Sequence, residues 1–443
     1  MKKLIFLPLA ISNLLYAQTL KESVGEILTT NPIIQERLKN YEANKEDVNI
    51  AQAGYYPTLN LKLGAGYEQT KQKNGAGATI IPTTGNDGKF SVYENSLTFT
   101  QNIFQGFNTI NSVEEQKYKA ISAAYSYIET ANSISFEMTN AYIELIKNKE
   151  LLVTAKKNVE IDQEILNKVK KLYDSGLTTL SEVHKIESSL ALAKSNQVVQ
   201  ENTLLDATYN TQKVLGKELE IDSLEKPELM YLFPDTKEEA IEFALKNNPS
   251  ILVGEFNVKQ AKAAKHSSQS SYYPSVDIEV SQSMNKNLSA VEGTDDQFRA
   301  MAYLNYNIFN GFSDQASIAK AQKQVSQGLN TKEKLQREII QNLNLAWTSK
   351  EKLEEQLKHL YDYKDFSEKT LKLYAKEYDL GRRSLLDLLS AQNDFIRSQS
   401  QIITTEYNIL LAKYRILNAM GILVPVIIDE QNLIYTNVDL EAK

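Results

Sequence analysis

Two long stretches, from Phe107 to Tyr173 and from Phe312 to Tyr378, restrict most strongly what this chain can fold into. Neither contains a proline, and Gly328 is the only glycine that interrupts them. Apolar residues recur in both at alternating spacings of four and three residues. A 3.5-residue period kept over such a length is typical of coiled-coil helices and excludes a strand. At 1.5 Å per residue, each stretch predicts a helix roughly 100 Å long.

The seam of this period can be written out for both stretches. In the first stretch it comprises Ile134, Met138, Ala141, Leu145, Asn148, Leu152, Ala155, Val159, Asp162, Leu166, Val169 and Tyr173. In the second stretch, 205 residues later, it comprises Ile339, Leu343, Ala346, Lys350, Leu353, Leu357, Leu360, Lys364, Ser367, Leu371, Tyr374 and Tyr378. Most positions in both sets are apolar or aromatic, so each helix is predicted to bury one face.

The whole chain repeats one order of motifs. Those that recur after 217 residues are Thr19-x-x-Glu22 with Thr236-x-x-Glu239, Asn31-Pro32 with Asn248-Pro249, and Tyr55-Tyr56-Pro57 with Tyr272-Tyr273-Pro274. Those that recur after 205 residues are Asn102–Phe107 with Asn307–Phe312, Tyr173-x-x-Gly176 with Tyr378-x-x-Gly381, and Gly216 with Gly421. The offset changes between two predicted strands, where a loop is shortened at little cost. Duplication of this kind is the primary sign of a repeat architecture.

The motifs predict a division of the chain into a leader and two structural repeats. Residues 1–17 are a predicted signal peptide. The first repeat, 18–217, has strands at about 58–70 and 92–104, a long helix at about 107–173 and a return helix at about 181–215. The second repeat, 218–443, has strands at about 275–284 and 297–309, a long helix at about 312–378, a return helix at about 385–420 and a C-terminal tail.

The leader and the composition restrict the compartment and the partners. Lys2 and Lys3, an apolar run and Ala17 predict cleavage before Gln18. A short membrane anchor is the alternative, although a spanning helix needs about 20 apolar residues. The chain has no cysteine, so it forms no disulfide and offers no thiol to an N-terminal lipid. Without the leader, acidic residues outnumber basic ones, which argues against nucleic-acid binding.

Period-two alternation predicts four strands, each with one apolar and one polar face. The polar faces carry Lys62, Glu68, Asp277, Glu279 and Arg299, whereas the apolar faces carry Leu59, Leu61, Leu63, Val276, Ile278, Val280, Leu304 and Ile308. Taken alone, such strands fit either a half-buried sheet of a soluble domain or a lipid-facing sheet. Four strands leave open edges, and lipid tolerates no unpaired backbone. Three copies would supply twelve strands and surround them with a hollow cylinder of helices, which describes a duct.

These features together resemble the TolC family of outer-membrane export channels, and the resemblance covers almost the whole mature chain. The duplicated plan, the NP and YYP turns, the NIFxGF strand ends and the two YxxG helix turns carry it. It implies a mainly α fold with a small β part, in which a homotrimer forms a 12-stranded barrel in outer-membrane lipid of a Gram-negative cell. An α-helical tunnel would extend through the periplasm.

The resemblance also implies partners. These are a periplasmic adaptor (membrane fusion) protein and an inner-membrane transporter of the ABC or RND type. The segment Ser96–Phe104 is more similar to the branch of the family that serves type I protein secretion than to the small-molecule efflux branch. The alternative for the whole chain is a periplasmic coiled-coil adaptor protein of an export complex.

The family resemblance further implies a gate at the periplasmic aperture. By motif, Tyr378 and Arg383 would bind Ser181 and Glu182 of the neighbouring hairpin through charge-assisted hydrogen bonds. Asp387 matches a position where an acidic ring narrows the pore, but the second acidic position is Ser390 here. Adaptor docking would involve Gly176, Leu177, Gly381 and Arg382. The alternative is that these residues are ordinary solvated groups at helix turns.

Nothing in the sequence predicts an enzyme. The three histidines, His184, His266 and His359, lack the spacing of metal ligands, and no cysteine assists them. The segment Gly85–Lys89 lacks the spacing and the hydroxyl of a phosphate-binding loop. No cofactor is therefore predicted.

Overall fold

The computed structural model describes residues 19–69, 89–288 and 293–428, together with residues 438 and 440. The predicted signal peptide at 1–17, most of the predicted loop at 71–91 and most of the C-terminal tail lie outside these residues.

The same order of elements occurs in both halves of the chain. The first half contains α1 (Leu20–Thr30), α2 (Pro32–Gln52), β1 (Thr58–Gln69), β2 (Lys89–Gln105), α3 (Asn108–Asp174) and α4 (Leu180–Leu215). The second half contains α5 (Lys237–Asn247), α6 (Pro249–Ser268), β3 (Ser275–Lys286), β4 (Thr294–Asn305), α7 (Ser313–Asp379), α8 (Leu385–Met420) and α9 (Leu423–Ile428). The internal duplication of long helices and strands is thus confirmed.

The described residues pack into two compact units. The described parts of 1–40, 124–253 and 333–440 form the helical unit, which holds both turns between a long helix and its return helix. The described parts of 41–123 and 254–332 form the sheet unit, which holds all four strands. Each unit contains matching portions of both repeats.

The predicted apolar seam is the buried face of the long helices. α3 and α7 contain 67 residues each. In α3, Met138, Leu145 and Val169 are completely buried, and in α7 so are Leu343 and Ala346. This burial supplies the stability that a solvated single helix of ordinary composition lacks.

Two polar positions of the α3 seam are buried as well, and each has a partner on another helix. The Gln200 side chain donates to Asn148 Oδ1 at 3.1 Å. The Gln392 side chain donates to Asp162 Oδ1 at 2.7 Å. A buried polar group costs free energy unless it is hydrogen-bonded, so these pairs explain how the seam accommodates both residues.

The NP motifs connect the start of one helix to the end of another. Asn31 Oδ1 accepts from the Ile33 amide at 3.0 Å, and Asn31 Nδ2 donates to the Val214 carbonyl at 3.0 Å. Asn248 forms the same pair of bonds in the second repeat, including donation to the Ala419 carbonyl at 2.8 Å. Helix ends leave backbone groups without intrahelical partners, and one buried asparagine satisfies a group at each end.

The four strands form one antiparallel sheet in the order β1-β2-β3-β4. The two hairpins have equivalent registers, with Thr58 opposite Thr100 in one and Ser275 opposite Asn305 in the other. The pairing of β2 with β3 joins the repeats. β1 and β4 are therefore the edges of the sheet.

The predicted alternation of the strands matches the pairing. Leu59, Leu61 and Leu63 share a face and are largely exposed. On the opposite face, Lys62 forms an ion pair with Glu94 at 2.7 Å. Among the described residues, no helix is long and apolar enough to span a membrane.

β4 ends at Asn305, whereas the sequence pattern predicts a strand to about residue 309. Asn305 pairs with Ser275, the first residue of β3, so β3 offers no backbone beside the residues that follow. Ile308 consequently lies outside the strand. β2, by contrast, continues to Gln105 because a bulge between Asn102 and Phe104 keeps it paired with the start of β3.

Candidate functional site

Both turns between a long helix and its return helix have the same backbone structure. After α3, Gly176 has φ +71°, its amide donates to the Tyr173 carbonyl, and the Leu177 amide donates to the Leu172 carbonyl at 2.9 Å. After α7, Gly381 has φ +69°, and the Arg382 amide donates to the Glu377 carbonyl at 2.8 Å. A glycine is favoured at both positions because other residues rarely adopt this left-handed conformation.

A hydrophobic cluster lies directly beneath the turns, and we refer to it as the turn core. Its buried members are Leu166, Val169, Val183, Ile186, Leu190, Tyr378, Leu385, Leu388 and Leu389. They come from α3, α4, α7 and α8, so both turns rest on one shared core. Charged side chains at the turns therefore have a fixed base from which to act.

Tyr378, one of the predicted gate residues, belongs to this core. Burial, together with the nearby carboxylates of Glu182 and Asp379, raises the pKa of Tyr378 to about 12. Its hydroxyl is buried and makes no hydrogen bond of good geometry to any described residue. The structure thus brings Tyr378 within electrostatic reach of Glu182, as the motif predicts, and leaves the hydroxyl with unused hydrogen-bonding capacity.

Arg383 binds a residue that sequence reasoning missed. Its Nε donates to a Glu377 carboxylate oxygen at 2.9 Å, and its guanidinium lies 4.1 Å from the centroid of the Tyr374 ring. Both charged side chains are partly exposed. Glu377 lies six residues before Arg383 on the other side of the turn, a separation with no helical signature.

Ser181 and Glu182 also have local partners within the chain. The Glu182 carboxylate accepts from the Thr178 hydroxyl at 2.5 Å, and the Ser181 hydroxyl lies 2.7 Å from that of Thr179. Within the described residues, Arg383 is not bonded to either of them. The link between the hairpins that the motif predicts stays a prediction.

Asp387 caps the first turn of α8. Its carboxylate accepts from the Ser384 hydroxyl at 2.8 Å, and its amide donates to Ser384 Oγ at 3.2 Å. This exchange resembles a capping box, whose serine–acid spacing was legible in the sequence. The carboxylate is partly exposed, while Ser390 is exposed.

The predicted docking residues lie at the surface of the turns. Gly176, Gly381 and Arg382 are exposed, and the Leu177 residue is 75% exposed. Lys168 and Asp379 form an ion pair that connects the ends of the two long helices. The turns therefore combine a buried apolar base with exposed glycine, leucine and arginine.

A second polar cluster, which the sequence analysis did not identify, crosses the seam deeper in the helical unit. Asp162 is only 2% exposed and accepts from Gln392 at 2.7 Å and from the Ser189 hydroxyl at 3.0 Å. Burial raises the pKa of Asp162, although both hydrogen bonds act in the opposite direction. An acidic residue in an apolar seam was the signal that pointed to this cluster.

Metal chemistry finds no support in the part of the chain that the structure describes. No group of three or more His, Asp or Glu side chains there could hold a metal ion.

Comparison with known proteins identifies related sequences. The family model described as outer membrane efflux protein matches residues 24–217 and 240–422, which is most of the chain. The outer membrane efflux protein BepC of Brucella suis biovar 1 is 22% identical over 383 residues, 86% of this chain and 80% of that protein. The proteases secretion protein PrtF of Dickeya chrysanthemi is 22% identical over 245 residues, 54% of this chain and 52% of that protein.

Solved structures have the same fold. A membrane protein from Pseudomonas aeruginosa superimposes with a TM-score of 0.80 at 16% identity, covering 91% of this chain and 90% of the other. The outer membrane protein VceC from Vibrio cholerae superimposes with a TM-score of 0.79 at 15% identity, covering 91% and 96%. The predicted mainly α fold with a small β part is thereby confirmed.

Proposed function

Because the chain belongs to the outer membrane efflux protein family, we propose that it forms a homotrimeric channel that conducts substrates passively out of the cell. An outer-membrane location follows from that family. In the proposed assembly the sheets of three chains close into one barrel, and the long helices form a tunnel that reaches into the periplasm. The channel performs no catalysis of its own.

The observation that carries this proposal is the sheet. Its edge strands β1 and β4 each have a single neighbouring strand among the described residues, and one of its faces exposes Leu59, Leu61 and Leu63. An open edge and a bare apolar face are both unfavourable in water. Lipid accepts the apolar face, but it requires every backbone group to be paired. Three four-stranded sheets joined edge to edge satisfy both conditions with twelve strands.

The partners follow from the proposed tunnel. A channel with no energy source needs an inner-membrane transporter, of the ABC or RND type, and a periplasmic adaptor to connect the two. The relatives are named for protease secretion in one case and for efflux in another. The transporter therefore decides whether a protein or a small molecule passes through the same duct.

We assign the gate to Tyr378, Arg383, Ser181, Glu182 and Asp387. Tyr378 and Glu182 already lie close to each other above the turn core. Arg383 is held by an exposed ion pair, which is worth about 1 kcal/mol or less and is readily exchanged. The docking surface comprises Gly176, Leu177, Gly381 and Arg382, where exposed apolar and cationic groups face an incoming partner.

Purified protein in planar lipid bilayers tests the function. We expect discrete single-channel conductance steps, together with recovery of the native protein in the outer-membrane fraction of cells. A periplasmic adaptor would give no conductance and would not fractionate with the outer membrane. That result would replace the channel by the adaptor alternative.

A further inference from the structure

The two edges of the sheet differ from its interior in a way that the internal duplication makes informative. β2 and β3 pair across the boundary between the repeats, whereas β1 and β4 each lack a second strand among the described residues. We propose that the β4 edge binds β1 of a second copy of this chain in one fixed register, the register that β2 and β3 use inside the chain. This inference rests on the proposed oligomeric channel and specifies its β interface.

The sequence offsets apply to the backbone of the sheet. β1 becomes β3 after 217 residues, since Thr58–Gln69 maps onto Ser275–Lys286. The start of β2 at Lys89 becomes the start of β4 at Thr294 after 205 residues. The registers obey the same offsets, because the pair Thr58–Thr100 maps onto the pair Ser275–Asn305. The β2–β3 interface can therefore be transferred to β4 and β1 without adjustment.

The transfer identifies residue pairs between copies. Phe99 lies opposite Val280 inside the chain, so Leu304 lies opposite Leu63 of the second copy. Both leucines are largely exposed in the single chain, and their pairing covers apolar surface beside the new backbone bonds. Glu94 lies opposite Asn285, so Arg299 lies opposite Glu68 of the second copy, which places unlike charges side by side.

The bulge transfers as well. The Asn102 side chain donates to Asp277 at 2.5 Å where the β2–β3 register shifts. The equivalent residues of the interface are Asn307 and Asn60 of the second copy, two amides able to hydrogen-bond. Residues 306–310, which follow the end of β4, would then extend that strand as Gln101–Gln105 extend β2. This explains why β4 stops short of its sequence pattern in the single chain.

The glycines after β2 and β4 support the same arrangement. Gly106 has φ +59°, and a Cβ there would lie 2.5 Å from the Ser270 carbonyl oxygen and 2.9 Å from Tyr273 Cβ. Gly311 has φ +57°, yet no described atom outside its own neighbourhood lies within 4 Å of its Cβ position. Its equivalents of Ser270 and Tyr273 are Ala53 and Tyr56. In the assembly, these residues of the second copy would cover Gly311.

An aromatic contact completes the match. Phe107 packs edge-on against Tyr273 with ring centroids 5.5 Å apart. The equivalent pair is Phe312 with Tyr56 of the second copy. In the single chain these two residues are 69% and 70% exposed. Their mutual burial in the interface removes large apolar surface from solvent.

Disulfide trapping tests the register, because the chain contains no cysteine of its own. The test variant combines Leu63→Cys with Leu304→Cys. The matched control combines Phe99→Cys with Val280→Cys, which occupies the equivalent positions inside the chain. A register control combines Leu61→Cys with Leu304→Cys. Directly opposed residues meet the distance limit of a disulfide, whereas positions shifted by two residues exceed it.

We expect the test variant to form covalent dimers and trimers on non-reducing gels after mild oxidation in native membranes. The Phe99/Val280 control should lose its free thiols without any increase in mass, and the Leu61/Leu304 control should cross-link at least tenfold less. If the shifted pair cross-links better, or the test pair fails while the internal control oxidises, the register is overturned. A trimeric mass in detergent would then still support the proposed function. A monomeric mass would overturn both.

Discussion

The Arg383 Nε donates to the Glu377 carboxylate at 2.9 Å, so the cation predicted to close the aperture has a partner in its own hairpin. Both side chains are partly exposed, which limits the strength of this pair to about 1 kcal/mol. A link from Arg383 to Glu182 would be of similar strength. Closing the gate would then be an exchange of Arg383 between two carboxylates, a process that small forces from an adaptor can bias.

Removing the gate side chains should open the channel. Tyr378→Phe combined with Arg383→Ser is expected to raise the open population by about tenfold or more, since three weak links per ring act together. Single-channel recording in planar bilayers measures this change. Adding Glu182→Ala should alter little, because its partners are already absent. Tyr173→Phe, the equivalent tyrosine of the first repeat, should conduct like the wild type. A double variant with wild-type conductance would remove these residues from the gate.

Removing the competing partner should have the opposite effect. Glu377→Gln releases Arg383 for the aperture, so the open population is expected to fall by up to about fivefold, which corresponds to roughly 1 kcal/mol. The effect requires Arg383, so the same substitution made in the Arg383→Ser background should change nothing. An increase in conductance for Glu377→Gln alone would show that this ion pair itself helps to keep the channel closed.

The buried carboxyl of Asp162 should make stability depend on pH. Burial raises its pKa above the ordinary value of 3.8. Stability from the protonated carboxyl is complete below the unfolded pKa and is lost as the pH rises through the folded pKa. Asp162→Asn removes this ionisation, so its melting temperature relative to the wild type should rise from about pH 4 to about pH 7.

Circular dichroism in detergent measures both melting temperatures. Ser367→Ala, at the equivalent seam position of the second repeat, is the control and should show a difference that does not depend on pH. A constant difference between wild type and Asp162→Asn would mean that the buried carboxyl does not titrate differently in the folded protein.

The NP motif should depend on its donor. Asn31→Asp keeps the oxygen that accepts from Ile33 but replaces the amide that donates to the buried Val214 carbonyl. Leaving that carbonyl unpaired beside a carboxylate should cost about 1–3 kcal/mol of unfolding free energy. The exposed Asn247→Asp is the control and should stay within about 0.5 kcal/mol. Equal melting temperatures for the two variants would exclude the role given to Asn31.

Most of the fold could be predicted because its signals are periodic or repeated. The seam through Met138 and Leu145 is buried, and Gly176 and Gly381 end their helices with left-handed backbone. Such signals depend on local sequence and on the burial of one face, both of which the sequence displays directly. The end of β4 was less predictable because it depends on which strand lies alongside.

The candidate site was less accessible from sequence. The pairing of Arg383 with Glu377 depends on how the chain reverses at Gly381, and that path has no periodic signature. Asn31 was recognised only as a helix boundary, since its bond to Val214 joins residues 183 apart. Contacts of this kind depend on tertiary packing, which a motif can mark but not specify.

The mass of the purified protein in detergent, measured by light scattering with the micelle subtracted, tests the trimeric channel most directly. The full chain has a mass of 50.1 kDa, and the predicted particle contains three copies, each without its signal peptide. A mass close to three mature chains, with the β signal intact in circular dichroism, is the expected result. A monodisperse monomer with the same intact β signal would contradict the account, because its sheet edges would then be stable without a second copy.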